Sequence, residues 1–406
     1  MLEMIKLEQA QKTVLSLVYP TLKQEVSLEA SLGRVLAEPV VAELDIPPFD
    51  RSPLDGYALH GEDTQGELPV DLKLTGEIPA GDYFNDLVER GSAVRILTGS
   101  PLPPGANSVI RQEDTEEVSG FVRIHKPVKP GANISRQGED IKRGEQFNPG
   151  GEITPALIGV LASQGLERVK VYAKPKVALA STGDELVELG SRLAPGKIYN
   201  TNLYSLGAMV QSWGGETVCL GLVKDRVEDL ARVIAQGLEK ADLVVTTGGA
   251  SVGTYDVTLE AMKQAGAEIL FWRVAMKPGT PVICGRKGSK LILGLSGNPA
   301  AAMISAALLL GPMVRKLSGY NNYFPKRISA ISRNSFNKTS GVRRMIRANT
   351  GLEPAGFTAS FPEQQQPGVL KSMLYTNALV DLPPGAVLEN GQMCEVILLD
   401  QWEGLK

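Results

Sequence analysis

From Pro175 onward the chain alternates short β-branched runs with helical periods, and that alternation restricts this stretch to parallel βαβ units. The runs Val177–Ser181, Thr217–Val223 and Leu243–Thr247 are separated by helical patterns over 201–213, 227–240 and 256–265. Further strands are expected at Ile269–Val274, Val282–Cys284 and Leu291–Leu295, followed by a long Ala- and Leu-rich helix over 298–317. Open sheets of this kind bind ligands outside the carboxyl ends of their strands, so the loops that follow each strand belong to one reading.

The texture differs on either side. Residues 1–46 carry helical spacing (Ile5, Leu7, Val14, Leu15, Leu17, Val18) and a second short helical pattern from Leu28 to Leu36. From Pro47 short β-like runs take over, at Tyr57–Leu59, Val70–Leu74, Ala93–Leu97, Ser108–Gln112 and Phe121–Ile124. A helix resumes at Thr154–Ser163 with Pro155 in its first turn, and a strand follows at Arg168–Tyr172. Beyond Pro325 short strands return. The expected organisation is a split helical domain (1–46 plus 146–174), a β-rich insertion (47–145), an α/β domain (175–324) and a carboxy-terminal β domain (325–406). A chain of 406 residues, 43% apolar, has the material for several such cores.

Composition narrows the chemistry. His60 and His125 are the only imidazoles, so a Cys/His zinc site or a His-relayed triad has almost nothing to work with, and proton transfer and metal binding fall to carboxylates. A net charge of −3 argues against nucleic-acid binding. Cys219, Cys284 and Cys394 are odd in number and far apart, which suggests reduced thiols rather than a disulfide framework. Charges interrupt the amino terminus where a signal peptide would need an apolar run, and no stretch approaches the ~20 apolar residues of a membrane span. The expectation is a cytoplasmic protein with no membrane partner.

The loops after the predicted strands hold a consistent set of groups: Ser181-Thr182-Gly183-Asp184-Glu185, then Lys224-Asp225, then Thr246-Thr247-Gly248-Gly249-Ala250-Ser251-Val252-Gly253, and last Ser296-Gly297-Asn298-Pro299. Glycines let backbone N–H groups approach an anion, so 247–253 could cradle a phosphate. Glu185, Asp225 and Asp256 could hold a hard cation, Mg²⁺ being suited to few protein ligands plus substrate phosphates. Structural roles compete: Thr182 and Glu185 have capping-box spacing, Asp256 could cap its helix, and Asp225 could be a turn residue. Outside this domain, Asp55-Gly56 suits a tight hairpin turn, with Asp55 a candidate acid at its tip. Arg136-Gln137-Gly138-Glu139-Asp140 sets two carboxylates and a cation on a glycine turn. Residues 321–350 carry Lys326, Arg327, Arg333, Lys338, Arg343, Arg344 and Arg347 and no acid, which reads as a solvated face, an attractor for an anionic ligand, or a match for another subunit's acidic surface.

Together the segments PPFDRSPLDGYA, VIRQED, RQGEDIKRG, STGDEL, TTGGASVGTYD, MKPGTPV and LSGNPAAA, in this order from about residue 47 to 302, resemble the molybdopterin molybdenumtransferase family (MoeA and the gephyrin E domain). The resemblance implies an α/β and β multidomain fold with a doubly wound MogA/MoaB-like α/β domain and a barrel-like carboxy-terminal domain. It implies insertion of molybdate into adenylylated molybdopterin with Mg²⁺-dependent release of AMP, in a homodimer whose composite site combines parts of both subunits. Molybdopterin adenylyltransferase and molybdoenzyme maturation proteins are the implied partners. Alternatives are a tungstate-inserting relative or a non-catalytic scaffold. Carried over residue by residue, the resemblance gives Asp55, Asp140, Asp225 and Lys277 catalytic roles, with Thr98 and Glu113 as companions. It gives Glu185, Asp225 and Asp256 to the metal. Ser181, Thr182, Gly183, Thr247, Gly248, Gly249, Ser251, Gly253, Arg273, Gly297, Asn298 and Pro299 go to substrate, with Arg273 and Lys277 offering charge to the oxyanion. The chain departs from the pattern at Ser296, often Pro, at Thr280, often Lys, and at Ser135, often basic.

Overall fold

The computed structural model describes residues 2–147, 151–249 and 257–402. They form two compact units: Met1–Ala37 with Gly150–Pro155 and Arg168–Lys406, and Glu38–Pro149 with Ala156–Glu167.

The larger unit is built on a seven-stranded sheet. In chain order its strands are β1 (Leu2–Ile5), β2 (Lys176–Thr182), β3 (Glu216–Val223), β4 (Leu243–Thr247), β5 (Glu268–Val274), β6 (Ile283–Lys287) and β7 (Lys290–Leu295). Their spatial order is β1-β5-β6-β7-β4-β2-β3. Helices α1 (Leu7–Leu15), α2 (Asn202–Ser212), α3 (Val227–Lys240), α4 (Val257–Gln264) and the long Pro299–Leu317 helix, α5, cover its two faces. Alternate residues of the central strands serve opposite cores: Val177, Leu179, Leu243, Val245, Leu291 and Leu293 join one cluster with α1, α2 and α5, while Ala178, Ala180, Val244 and Ile292 join another with α3 and α4. Burial on both faces explains why these strands read as continuous apolar runs. Helix α5 is long and apolar enough to cross a membrane by composition, but nearly all of it is buried inside this unit.

Three expectations change here. Residues 2–5 are a strand, paired in parallel with β5, and not part of a helix. The sheet is mixed, because β6 runs antiparallel to both β5 and β7. Leu28–Leu36 forms no α-helix; a single 3-10 turn, Glu29–Ser31, follows strand Lys23–Ser27, which pairs antiparallel with Arg168–Tyr172.

The same unit ends in a barrel of β8 (Pro325–Ser332), β9 (Arg343–Glu353), β10 (Gly356–Ser360), β11 (Ala378–Leu382) and β12 (Met393–Trp402). The order β9-β10-β8-β12-β11 closes because β9 also pairs with β11. The short strand Met276–Lys277 pairs with the start of β9 and so ties the connection between β5 and β6 to the barrel.

The smaller unit contains a six-stranded sheet in which Gly56–Leu59 lies between Ser108–Arg111 and Ser92–Ile96. Asp55-Gly56 is therefore not a hairpin turn. Gly56 begins an inner strand, and a Cβ there would lie 1.9 Å from the Ile110 carbonyl oxygen, so close approach of neighbouring backbone requires glycine.

Candidate active site

Strands β2, β4 and β7 are parallel neighbours that end level with one another, Ser181 opposite Thr247 and Thr247 opposite Leu295. Their loops surround a cavity of about 710 Å³ lined by Thr182, Gly183, Glu185, Asp225, Thr247, Gly248, Gly249, Gly297, Asn298 and Pro299, joined by Tyr199, Asn200 and Asn202. The glycines let the loops approach this closely. Gly248 has φ +88°, and a Cβ there would sit 2.0 Å from the Thr182 carbonyl oxygen; one on Gly249 would lie 3.3 Å from Asp225 Oδ1. The same Asp225 oxygen accepts a hydrogen bond from Thr182 Oγ1 at 3.1 Å.

Some residues expected to meet substrate hold the framework instead. Ser181 is fully buried; its hydroxyl donates to Asn200 Oδ1 at 3.2 Å and lies 2.8 Å from Thr247 Oγ1, tying two strand ends together. The Gly248 N–H donates to the Leu295 carbonyl at 3.3 Å, which fastens the glycine loop to β7. Sequence reasoning missed Asn200 and Asn202. Both are buried in the cavity wall, with Asn200 Nδ2 and Asn202 Oδ1 lacking partners.

A second cavity, about 430 Å³, adjoins the first and shares Ser296 and Asn298 with it. One wall is the turn from Lys277 to Pro281, another is Phe336, Arg344, Met345 and Ile346 of the barrel, and Gln365 and Pro367 complete it. The turn depends on Gly279, at φ +98°, where a Cβ would lie 2.2 Å from Ser305 Oγ on α5. Thr280 donates its hydroxyl to the Met276 carbonyl at 2.6 Å, so it closes the turn rather than supplying charge. Cationic character comes from Lys277 and Arg344. The Arg344 guanidinium lies 5.4 Å from the Phe336 ring centre, donates to the Thr339 carbonyl, and keeps Nε buried without a partner.

Arg344 stood in the sequence only as one member of the basic block, three of whose other arginines are matched by acids within this unit. Arg327 pairs with Asp381 at 2.8 Å and with Glu395, Arg333 with Glu353, and Arg343 with Glu8. Arg343 also comes within 3.1 Å of Asp381, an ion pair lacking hydrogen-bond alignment. Arg273 lines neither cavity; its guanidinium stacks 4.1 Å over Trp272.

Glu185 and Asp225 share the first cavity, and among the described residues no three acids, imidazoles or thiols are grouped closely enough to hold a metal by themselves. Two hard oxygen donors on one cavity with ample room for water and phosphate nevertheless fit Mg²⁺, which takes one or two carboxylates and completes its shell with those ligands. Ser251, Gly253 and Asp256 lie outside the described residues.

In the smaller unit Asp55 and Thr98 form one constellation: Asp55 Oδ1 accepts from both the Thr98 amide and the Thr98 hydroxyl, each at 2.7 Å. The amide bond first, and the hydroxyl bond second, hold the Asp55 carboxyl below its ordinary range. Asp140 is exposed, its N–H donating to the Ile46 carbonyl, and Glu113 lies 3.8 Å from Arg111.

A cavity between glycine-bearing loops at the carboxyl ends of parallel strands, with carboxylates inside and a cationic neighbour, defines an α/β protein with its ligand site where open sheets of this class hold theirs. Residues 5–165 match the MoeA N-terminal region (domain I and II), residues 178–316 a probable molybdopterin binding domain, and residues 329–399 the MoeA C-terminal region (domain IV). Molybdopterin molybdenumtransferases of Staphylococcus epidermidis and Staphylococcus aureus are 37% identical over 380 residues, 92% of this chain and 91% of theirs. A crystal structure of the molybdopterin biosynthesis MoeA protein of Pyrococcus horikoshii superposes with a TM-score of 0.86 at 32% identity, covering 98% of this chain and all of that one. The chain belongs to the molybdopterin molybdenumtransferase family, the transferases of molybdenum cofactor biosynthesis.

Proposed function

We propose that this protein inserts molybdate into adenylylated molybdopterin and releases AMP in a Mg²⁺-dependent reaction. The observation that carries the reading is the pair of adjoining cavities with a shared wall at Ser296 and Asn298, one offering carboxylates and glycine-loop backbone, the other Lys277 and Arg344. A phosphoanhydride suits the first; a tetrahedral dianion suits the second, where two cations act in a partly apolar setting that strengthens their field. Glu185 and Asp225 would hold the Mg²⁺, which when bound neutralises charge developing on the departing phosphate. Thr182 orients Asp225 through its hydroxyl. Lys277 and Arg344 bind the incoming oxyanion against the shared wall. Catalysis on this reading is positioning and electrostatic stabilisation, which needs no histidine. Asp55 and Asp140 of the smaller unit remain candidate acids, and a homodimer is the proposed working form.

The test is AMP release from adenylylated molybdopterin in the presence of molybdate and Mg²⁺. Release that depends on all three components supports the reading; none above a control without protein refutes it. Asp225→Asn is expected to lower kcat/KM by about a hundredfold, the scale of losing one well-placed electrostatic group.

A further inference from the structure

The segment from Pro362 to Val369 leads from β10 to the turn Leu370–Tyr375 without regular secondary structure of its own. It reaches both cavities: Gln365 and Pro367 line the cationic one, while Gly368, followed by Leu370, lines the other. What fixes this strap is Arg347 of β9, the largest fully buried side chain among the described residues.

The Arg347 guanidinium donates to the carbonyls of Gln364 at 3.2 Å, Gln366 at 3.0 Å and Val369 at 3.4 Å, and to Gln365 Oε1 at 3.3 Å. Gln365 answers with its amide: Oε1 also accepts from the Arg347 N–H at 3.0 Å, and Nε2 donates to the Arg347 carbonyl at 3.1 Å. Among the described residues no carboxylate pairs with this guanidinium, and burial alone pushes its pKa down. A buried cation without a counter-ion is an expensive way to stabilise a loop. It is also specific, because only the planar fork of arginine offers donors in enough fixed directions to hold three carbonyls at once; lysine does not. On its other side the strap meets α5, where the Pro367 carbonyl accepts from the Ala301 N–H at 3.4 Å.

We propose that Arg347 is a positioning residue for the transfer reaction: it sets the strap Pro362–Val369 as a wall common to both cavities, and thereby the approach of the oxyanion to the adenylylated substrate. The proposal rests on the reading of the two cavities given above. Arg347→Lys keeps the charge and loses the fork. Hydrogen exchange of the full-length protein should be at least tenfold faster in peptides covering 362–370, with the rest of the barrel unchanged, and KM for molybdate should rise at least fivefold. If Arg347→Lys does not fold, Gln365→Ala takes its place, since it removes the amide clamp and leaves the guanidinium; the same two changes are expected.

Unchanged strap exchange in a folded variant overturns the proposal. So does faster exchange spread over the whole unit, which would mark Arg347 as a general stabiliser, and so does faster strap exchange with KM unaltered. A wild-type protein that releases no AMP would instead count against the transferase reading. The second readout then becomes equilibrium dialysis of molybdate and of AMP, separately, and the strap proposal requires at least one of the two to bind more weakly in the variant.

Discussion

Replacing Gly248 with alanine should damage the site by an amount that two independent effects predict. The residue sits at φ +88°, in the left-handed region, where a side chain costs about 1–2 kcal/mol. The added methyl carbon would lie 2.0 Å from the Thr182 carbonyl oxygen, a full ångström inside any tolerable contact, and that oxygen is main chain at the end of β2 and cannot rotate away. Forcing such an atom into a packed site costs about a further 1–3 kcal/mol. Gly190 separates the two terms. It has φ +81° in the same unit with nothing within 4 Å of its virtual Cβ, so Gly190→Ala should show the conformational cost alone. Urea unfolding at matched slope should place Gly248→Ala about 2–5 kcal/mol below wild type and Gly190→Ala only about 1–2 below it. Activity should follow: displacing Thr182 moves the hydroxyl that binds Asp225, so Gly248→Ala should lose AMP release even at temperatures where it is folded. Equal stability losses for the two variants would refute the steric argument. A fully active Gly248→Ala would show that the close approach of β2 and β4 loops does not matter to the reaction.

Two other expectations can be checked directly. Asp55 should titrate, by carbon-13 NMR, below its ordinary value of 3.8, and the midpoint should rise in Thr98→Ala as the hydroxyl bond is lost; because the folded pKa is the lower one, stabilisation by this bond is complete above the unfolded value and disappears as pH falls through the folded one. Lys277→Ala and Arg344→Ala should each raise KM for molybdate roughly tenfold, equivalent to about 1.4 kcal/mol, and leave the affinity for AMP nearly unchanged; a larger effect on AMP would place the oxyanion elsewhere.

What could be read from the sequence follows the range of the interactions involved. β2, β4 and β7 were legible because strands covered on both faces are continuous apolar runs, and their loops were legible because close backbone approach demands glycine. The antiparallel turn of β6 had a local sign, the two-residue link Gly288-Ser289 between Lys287 and Lys290, which is hairpin chemistry outweighed by the βαβ pattern around it. β1 was hidden because apolar residues at 2, 4, 5 and 7 fit a helical period equally well, and its partner lies far along the chain. The basic block left its readings open for a related reason: Glu8, Asp381 and Glu395, which pair with Arg343 and Arg327, are distant in sequence. Arg344 and Arg347 share three-residue spacing and composition, yet one lines a cavity and the other is buried beneath a strap, a distinction that only the closed barrel creates.

The pairing of β1 with β5 has a consequence for how the molecule is made. β1 occupies the sheet edge beside a strand synthesised roughly 260 residues later, which at cellular elongation rates is a wait of tens of seconds. Throughout that interval β1 has no partner in its own sheet, while every residue of the smaller unit, Glu38–Pro149 and Ala156–Glu167, is made in between. β1 is thus made early and seated late, once β5 exists to receive it.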